Sequence, residues 1–147
     1  IYIYMKLNKW YWIFGFSVII SIFIYGKYRC INPNYKDILA MELVKGIDGW
    51  IISHFVAFAI IGTLYPDTLI LSTILGILWE IFEICLGKIK PSFLKGITDC
   101  HRTEKGNSNL SNDQKDGYWW YGKGEDVVAD ILGFLFGKYV LRLFVKI

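Results

Sequence analysis

Five ionisable side chains stand inside apolar segments of this chain, where charged groups are rare. We refer to them as the acidic cluster, and they are one imidazole and four carboxylates: His54, Glu80, Glu83, Asp126 and Asp130. Glu80 and Glu83 are three residues apart and Asp126 and Asp130 are four apart, so each pair shares one face of a helix. Such groups cannot all stay charged in a small volume. The pattern therefore predicts protonation, basic partners or a bound cation.

A bound cation is the outcome that would allow chemistry. Carboxylates suit the hard cations Mg²⁺, Mn²⁺ and Ca²⁺, and an added imidazole extends the range to Zn²⁺ or Fe²⁺. The predicted cofactor is thus a divalent cation, and its candidate ligands are the whole acidic cluster: His54, Glu80, Glu83, Asp126 and Asp130. His54, Glu80 and Asp130 lie deepest in their segments and are the candidate catalytic residues, with His54 as ligand or general base.

The same residues also have structural interpretations. Polar groups near the ends of membrane helices form caps and hydrogen bonds between helices, and Asp126 in a first turn complements the helix dipole. His54 alone would more often be a hydrogen-bonded packing residue than a ligand. Basic partners for the carboxylates are present in Lys123, His101 and Arg102.

Other polar residues carry weaker signals. The sequence Asp-Cys-His at 99–101 is a poor metal motif because it offers a single Cys-His pair. Asp37, Glu42 and Asp48 are expected to be solvated. The cysteines are scattered without paired spacing, which argues against a disulfide framework.

The segments that must position the cluster are unusually apolar. The chain of 147 residues is 54% hydrophobic and 18% aromatic, with a mean hydropathy of +0.39. Its long uncharged runs predict an all-α, polytopic membrane protein rather than a soluble core. We predict a single membrane domain over residues 1–147 with four transmembrane helices, at about 10–25, 49–65, 68–86 and 125–145. Gly133 and Gly137 form a small-xxx-small pair that would allow close packing of the last helix.

The connectors differ in length and character. Apolar residues alternate with charges at roughly helical spacing over 36–47, which predicts an interfacial helix, with a plain loop as the alternative. The turn at 65–68 is short enough to make the second and third spans an antiparallel hairpin. The polar loop at 87–123 is long enough to be either disordered or functional, and its aromatic end at 118–121 is expected at headgroup level.

The distribution of basic residues predicts the orientation. The first long connector contains four Lys or Arg residues and the second contains seven, whereas the turn between the second and third spans contains none. The long loops should therefore be cytoplasmic, with both termini on the opposite side. At ~1.5 Å per helical residue, the whole acidic cluster then lies within roughly 10 Å of one membrane face. The net charge of +3 is too modest to indicate a nucleic-acid partner.

The order of these motifs resembles that of the VanZ-like membrane proteins. The resemblance covers residues 48–86 and 124–140 and rests on the following elements: Asp48 with His54-Phe55, Glu80-x-x-Glu83, and Asp126-x-x-x-Asp130-x-x-Gly133-x-x-x-Gly137. Glu83 stands where the family pattern has glutamine and Asp130 where it has asparagine, so this cluster is more acidic. A second resemblance, to uncharacterised small membrane proteins, uses Ser53-His54, Trp79-Glu80 and Gly124-Glu125-Asp126. The VanZ-like resemblance implies an integral membrane protein, sometimes linked to glycopeptide-antibiotic resistance, without an established activity.

Three functions remain open at this level. The first is metal-assisted chemistry on a lipid headgroup or a membrane-anchored substrate. The second is a non-catalytic scaffold or binding protein in which the cluster fixes the bundle. The third is a proton- or cation-coupled transporter or channel, although no polar path toward the far side is visible. Membrane lipids are the expected partners, and a homo-oligomer is compatible with all three.

Overall fold

The computed structural model describes residues 9–32, 37–98, 120 and 122–145. Within these ranges the chain is helical except for one small β-hairpin, so the predicted all-α class is confirmed. Its main elements are α1 (Lys9–Ile31), β1 (Glu42–Val44), β2 (Ile47–Asp48), α2 (Gly49–Leu64), α3 (Leu69–Ile89) and α4 (Gly124–Phe136). Three short helical turns complete the described part: a 3₁₀ turn at Ser92–Leu94, a π-helical turn at Gly137–Leu141 and a last helical turn, α5, at Arg142–Phe144.

Two of the described helices are long and apolar enough to cross a membrane. They are α1, of 23 residues with a mean hydropathy of 1.4, and α3, of 21 residues with a mean hydropathy of 2.1. α2 is apolar but has only 16 residues. α4 continues directly into the π-helical turn and α5, so the last predicted span is helical from Gly124 to Phe144.

Glycines set the closest helix contact, between α2 and α4. A Cβ atom on Gly133 would collide with the backbone oxygen of Phe55, and one on Gly137 would collide with that of Ala59. From the opposite side, a Cβ on Gly62 would meet the backbone oxygen of Phe134. The two backbones are therefore in direct contact, as the small-xxx-small pair predicts.

The predicted interfacial helix at 36–47 is wrong. Glu42 pairs with Asp48 and Val44 with Ile47 in an antiparallel hairpin. Gly46 has a φ of 83°, a left-handed conformation that suits glycine and lets the chain reverse. The backbone N–H of Gly46 donates to the Glu42 carboxylate at 2.5 Å. The alternation of apolar and charged residues in this stretch therefore belongs to a hairpin that leads into the cap of the next helix.

α1 contacts the other helices through aromatic side chains at both ends. Near its start, Tyr11 packs edge-on against Tyr65 and shares a hydrogen bond of 3.0 Å with Ser72. Near its end, Tyr25 packs edge-on against Trp50 in the first turn of α2. The C-terminal end of α1 therefore lies beside the N-terminal end of α2.

Asp37, expected to be solvated, is 2% exposed. Its carboxylate accepts a hydrogen bond from Tyr25 at 2.5 Å and lies 2.6 Å from the guanidinium of Arg29. It also accepts from the backbone N–H groups of Leu39 and Ala40, at 3.2 and 3.3 Å. Asp37 thereby fastens the connector to the end of α1, and this pairing is why it can be buried.

The cysteines also differ from expectation. Cys30 is disulfide-bonded, and its bonding partner lies outside the described residues. Cys85 is a free, exposed thiol on α3. The scattered spacing argues against a disulfide framework, yet Cys30 forms a disulfide, because sequence separation does not determine distance in the fold.

Candidate metal site between three helices

His54 is held from one side by Asp130. Its Nδ1 atom lies 2.9 Å from Oδ1 of Asp130, and the carboxylate is 1% exposed. If the Asp130 carboxylate is ionised it can only accept a hydrogen bond, so Nδ1 would donate and a neutral ring would keep its lone pair on Nε2. Asp130 fits between the helices because α3 has glycine at position 76, where a Cβ atom would meet Oδ2 of Asp130. The pair thus links α2 and α4 and leaves Nε2 as the ring nitrogen that Asp130 does not contact.

Glu80 faces the other nitrogen of this imidazole. Its Oε1 atom lies 3.9 Å from Nε2 of His54, and the residue is 5% exposed. Its other oxygen, Oε2, accepts a hydrogen bond of 2.8 Å from the backbone N–H of Lys123. Oε1 has no hydrogen-bond partner among the described residues. Glu80 is therefore fixed through one oxygen and presents the other toward His54.

Asp126 completes a group of three. It is 2% exposed, and its Oδ1 atom has no hydrogen-bond partner within the described part of the chain. One ligand atom each from His54, Glu80 and Asp126 lies within 4.8 Å of the other two. Ligands about 2.0–2.2 Å from a metal ion lie roughly 3–4 Å from one another. These three side chains could therefore hold a metal ion with small adjustments.

An ion pair closes the end of the bundle beside this group. The ammonium of Lys123 lies 3.1 Å from Oδ2 of Asp48. The other oxygen of Asp48 accepts from the backbone N–H of Ile51 at 3.0 Å and so caps α2. Asp48 is 2% exposed, which corrects the expectation that it is solvated. We call this end of α2 and α4, where Asp48 and Lys123 meet, the polar end.

The segment that leads into α4 lies across α3. A Cβ atom on Gly122 would collide with the backbone oxygen of Glu80. Trp120 is 7% exposed and donates from Nε1 to the hydroxyl of Thr98 at 2.7 Å. It packs among the rings of Phe23, Trp79 and Phe82. This packing holds the backbone of Lys123 where it can bind Glu80.

The predicted site residues separate into distinct positions. His54, Glu80 and Asp126 form the group of three, whereas Asp130 contacts it through His54. Glu83, one turn beyond Glu80 on α3, interacts with Trp79 and is partly buried, outside the group of three. Among the weaker candidates, residues 99–102 lie outside the described ranges, as do 118, 119 and 121 of the aromatic cluster.

Composition and periodicity do not predict the roles of two residues at this site, Asp48 and Lys123. Asp48 directly precedes the first helical residue, Gly49, and an aspartate in that position is a typical N-cap. That signal was available and would have predicted an ordered carboxylate. The sequence indicates Lys123 only as one of several possible basic partners for the carboxylates. No sequence pattern shows which basic side chain of a long loop contacts the helices.

The described pairs leave several carboxylate oxygens of the cluster without a hydrogen bond. Lys123 pairs with Asp48, and His54 hydrogen-bonds to Asp130. Glu80, Asp126 and Asp130 each keep one buried oxygen without a hydrogen bond from the described residues. Burying an uncompensated carboxylate is costly. When Glu80 and Asp126 are both ionised, they carry the charge that one divalent cation would balance.

No family model, curated protein or solved structure matches this chain. Its function must therefore be argued from the chemistry of the site and from its position on the helices.

Proposed function

We propose that the chain is a four-span integral membrane protein that binds a divalent cation at its polar end and uses it on a lipid headgroup or a membrane-anchored substrate. The observation that carries the proposal is the convergence of His54, Glu80 and Asp126, with ligand atoms within 4.8 Å of one another. Two of these residues are buried carboxylates, each with an oxygen that no described residue hydrogen-bonds. A bound cation would satisfy both oxygens at once.

The distribution of polarity supports a membrane environment. Nine polar or charged residues are buried in the described part, against eight hydrophobic ones. Large apolar side chains are exposed along the helices instead, among them Ile70 at 77%, Ile24 at 64% and Phe16 at 62%. A water-soluble protein would bury such side chains, and lipid would solvate them.

The helix arrangement supports four spans. α2 is only about 24 Å long at ~1.5 Å per residue, shorter than the ~30 Å hydrocarbon core. However, it is joined to α3 by a tight turn and packs backbone to backbone along α4. A helix between two such neighbours crosses the same thickness as they do. The polar end, where α2 and α4 begin, then lies near the headgroups.

The number of protein ligands supports a chemical role. Structural zinc sites have four protein ligands, whereas catalytic sites have three and keep a position for water or substrate. A cation bound here would supply Lewis acidity and an activated water to a headgroup ester. The hydrogen bond from His54 to Asp130 would hold the imidazole ring in place beside that cation.

The VanZ-like resemblance is also part of the proposal. Four of its motif residues come from separate parts of the chain and lie together at this site: His54, Glu80, Asp126 and Asp130. The glycines of the same motif lie at the α2–α4 contact. A motif whose members serve one site and its scaffold fits a shared family architecture.

The test is metal analysis of the full chain purified in detergent. We expect about one divalent cation per chain in the wild type, and a loss of at least tenfold in affinity in Glu80→Gln and Asp126→Asn, because each removes one charged ligand. Glu125→Gln is the matched control, since Glu125 is an exposed neighbour of Asp126. It should bind as the wild type does.

Two results would overturn the proposal. If folded protein binds none of the common divalent cations at millimolar concentration, the site is not a metal site. If metal is bound but the loaded protein turns over no headgroup ester in vesicles of mixed phospholipids, the chemical role is wrong and the cation stabilises a scaffold.

A further inference from the structure

We propose that this site selects Zn²⁺ or another nitrogen-preferring first-row transition metal ion over Mg²⁺ and Ca²⁺, and that Asp130 is the positioning residue that sets this selectivity by holding His54. The inference rests on the proposed function, because it concerns the same cation site. In this inference Asp130 supports the ligand His54 and is not itself a ligand. The bound cation is restricted to transition metal ions that prefer nitrogen.

The first step is the orientation of the imidazole. Asp130 binds Nδ1 of His54 at 2.9 Å and is almost completely buried. A carboxylate that accepts from one ring nitrogen fixes the tautomer and leaves the other nitrogen as a ligand. That other nitrogen, Nε2, is 3.9 Å from Oε1 of Glu80, which has no hydrogen-bond partner among the described residues. Asp130 therefore supports a nitrogen ligand by binding the ring nitrogen that Glu80 does not face.

The second step is the space that α3 provides. A Cβ atom on Gly76 of α3 would meet Oδ2 of Asp130, an oxygen that has no hydrogen-bond partner among the described residues. Phe58 would also lie close to that Cβ atom. The Asp130 carboxylate is 1% exposed and its Oδ1 atom binds His54, so it has little freedom to turn toward the cation. The fold fixes it as a support for His54.

The third step is the donor set. Mg²⁺ requires near-ideal octahedral geometry and keeps several waters, and Ca²⁺ takes about 6–8 oxygen ligands. The group of three offers one nitrogen and two carboxylates, of which Glu80 is 5% exposed and Asp126 2% exposed. So enclosed a site has few positions for water. An imidazole suits Zn²⁺, Fe²⁺ or Co²⁺, which accept low coordination numbers and nitrogen.

The experiment uses Co²⁺ as a spectroscopic probe of the full chain in detergent. We expect Co²⁺ to give visible d–d absorption typical of fewer than six ligands. Zn²⁺ should displace it at equimolar concentration, whereas a hundredfold excess of Mg²⁺ or Ca²⁺ should not. His54→Gln should remove this preference, because the nitrogen ligand is replaced by an amide oxygen.

Variants of Asp130 separate positioning from general stability. Asp130→Leu keeps a side chain branched at Cγ, although a larger one, and cannot accept from Nδ1, so it should weaken Zn²⁺ binding by about 10–100-fold. Asp130→Asn keeps an acceptor oxygen and should lose less. Both should shift the Co²⁺ absorption, since the ring is no longer held in one orientation. A purely structural role would weaken all cations equally and leave the spectrum of the bound Co²⁺ unchanged.

A second variant covers the case in which Asp130→Leu fails to fold. Gly76→Ala places a methyl group against the Asp130 carboxylate and should weaken Zn²⁺ binding and shift the Co²⁺ spectrum in the same direction. Gly15→Ala on α1 is its matched control, because no atom lies within 4 Å of the added methyl. It should change neither measurement.

The outcomes distinguish the two proposals. If no cation binds, the proposed function fails. If cations bind but Mg²⁺ competes as well as Zn²⁺, or if the Asp130 and Gly76 variants keep both wild-type selectivity and spectrum, then this inference fails and the proposed cation site remains.

Discussion

The ion pair between Lys123 and Asp48 joins two segments that are far apart in the sequence and meet at the polar end. Both side chains are largely buried, at 17% and 2% exposure. Each also fixes a backbone element: Asp48 caps α2, and the backbone of Lys123 binds Glu80. At the scale of the residue, the pair is a support for the candidate site.

Removing one member of this pair should be worse than removing both. Lys123→Met removes the ammonium that pairs with the buried Asp48 carboxylate, which we expect to destabilise the fold by about 3 kcal/mol. The double variant Asp48→Asn with Lys123→Met should recover part of that loss. The free energy of unfolding in mixed detergent–SDS micelles measures both effects.

Lys138→Met is the matched control for this experiment. Lys138 lies on the π-helical turn at the other end of the α4 segment, where its ammonium is 5.5 Å from the centre of the Tyr139 ring. Its loss should change the unfolding free energy little. Equal effects of the two lysine substitutions would show that the ion pair contributes nothing specific.

At this scale the sequence identified the residue types but not all of their roles. His54, Glu80, Asp126 and Asp130 could be found because charged groups inside apolar helices are rare. Which oxygen of Glu80 is used, and whether Asp130 faces the cation or the imidazole, depends on helix rotation and on the room left by Gly76. A spacing of three or four residues carries no such information.

At the scale of the element, the contact between α2 and α4 determines the site geometry. His54 and Asp130 lie on these two helices, and Gly133 is one turn beyond Asp130. Because the glycine contacts bring the backbones together, the 2.9 Å hydrogen bond between His54 and Asp130 can form.

Gly133→Ala should therefore affect both stability and cation binding. The added methyl meets the backbone oxygen of Phe55 and must push the helices apart. We expect a destabilisation of about 1–3 kcal/mol, the usual cost of overpacking, together with weaker cation binding. Unfolding in mixed micelles and metal titration measure the two effects, with Gly15→Ala as the control. Wild-type values for both would contradict the assigned contact.

The elements were predictable to different degrees. The helix positions follow from apolar runs, and the structure places α2 and α3 within a few residues of the expected bounds. The hairpin at 42–48 was mistaken for a helix because its apolar residues recur at intervals that fit both patterns. Its determinants are a positive φ at Gly46 and the Asp48 cap, which are local features that periodicity does not register.

At the scale of the whole molecule, many polar side chains are buried and many large apolar side chains are exposed. Charged and hydroxyl side chains lie in the interior, and apolar side chains cover the helices. Composition predicts a membrane protein, and two of the described helices are long and apolar enough to cross a membrane. The distribution of basic residues does not by itself determine which side of the membrane the polar end faces. The disulfide at Cys30 also bears on this orientation.

Cys30 is one residue before the end of α1. Arg29 and Tyr25 of α1 contact Asp37 in the connector, and this end of α1 lies beside the polar end. Disulfides persist in oxidising compartments and are reduced by glutathione in the cytosol. The positive-inside rule instead assigns this connector to the cytosol, but charge only biases insertion. A disulfide is a stricter requirement than a charge bias, so we predict that the polar end faces the lumenal or extracellular side.

Thiol labelling tests this orientation in intact membrane vesicles. In a Cys85→Ser background, a membrane-impermeant maleimide should label the protein only after an impermeant reductant has been added from the oxidising side. Labelling of unreduced protein from the cytosolic side would contradict it. With that orientation, the cation would be drawn from outside the cytosol, and the headgroups within reach would be those of the outward-facing leaflet.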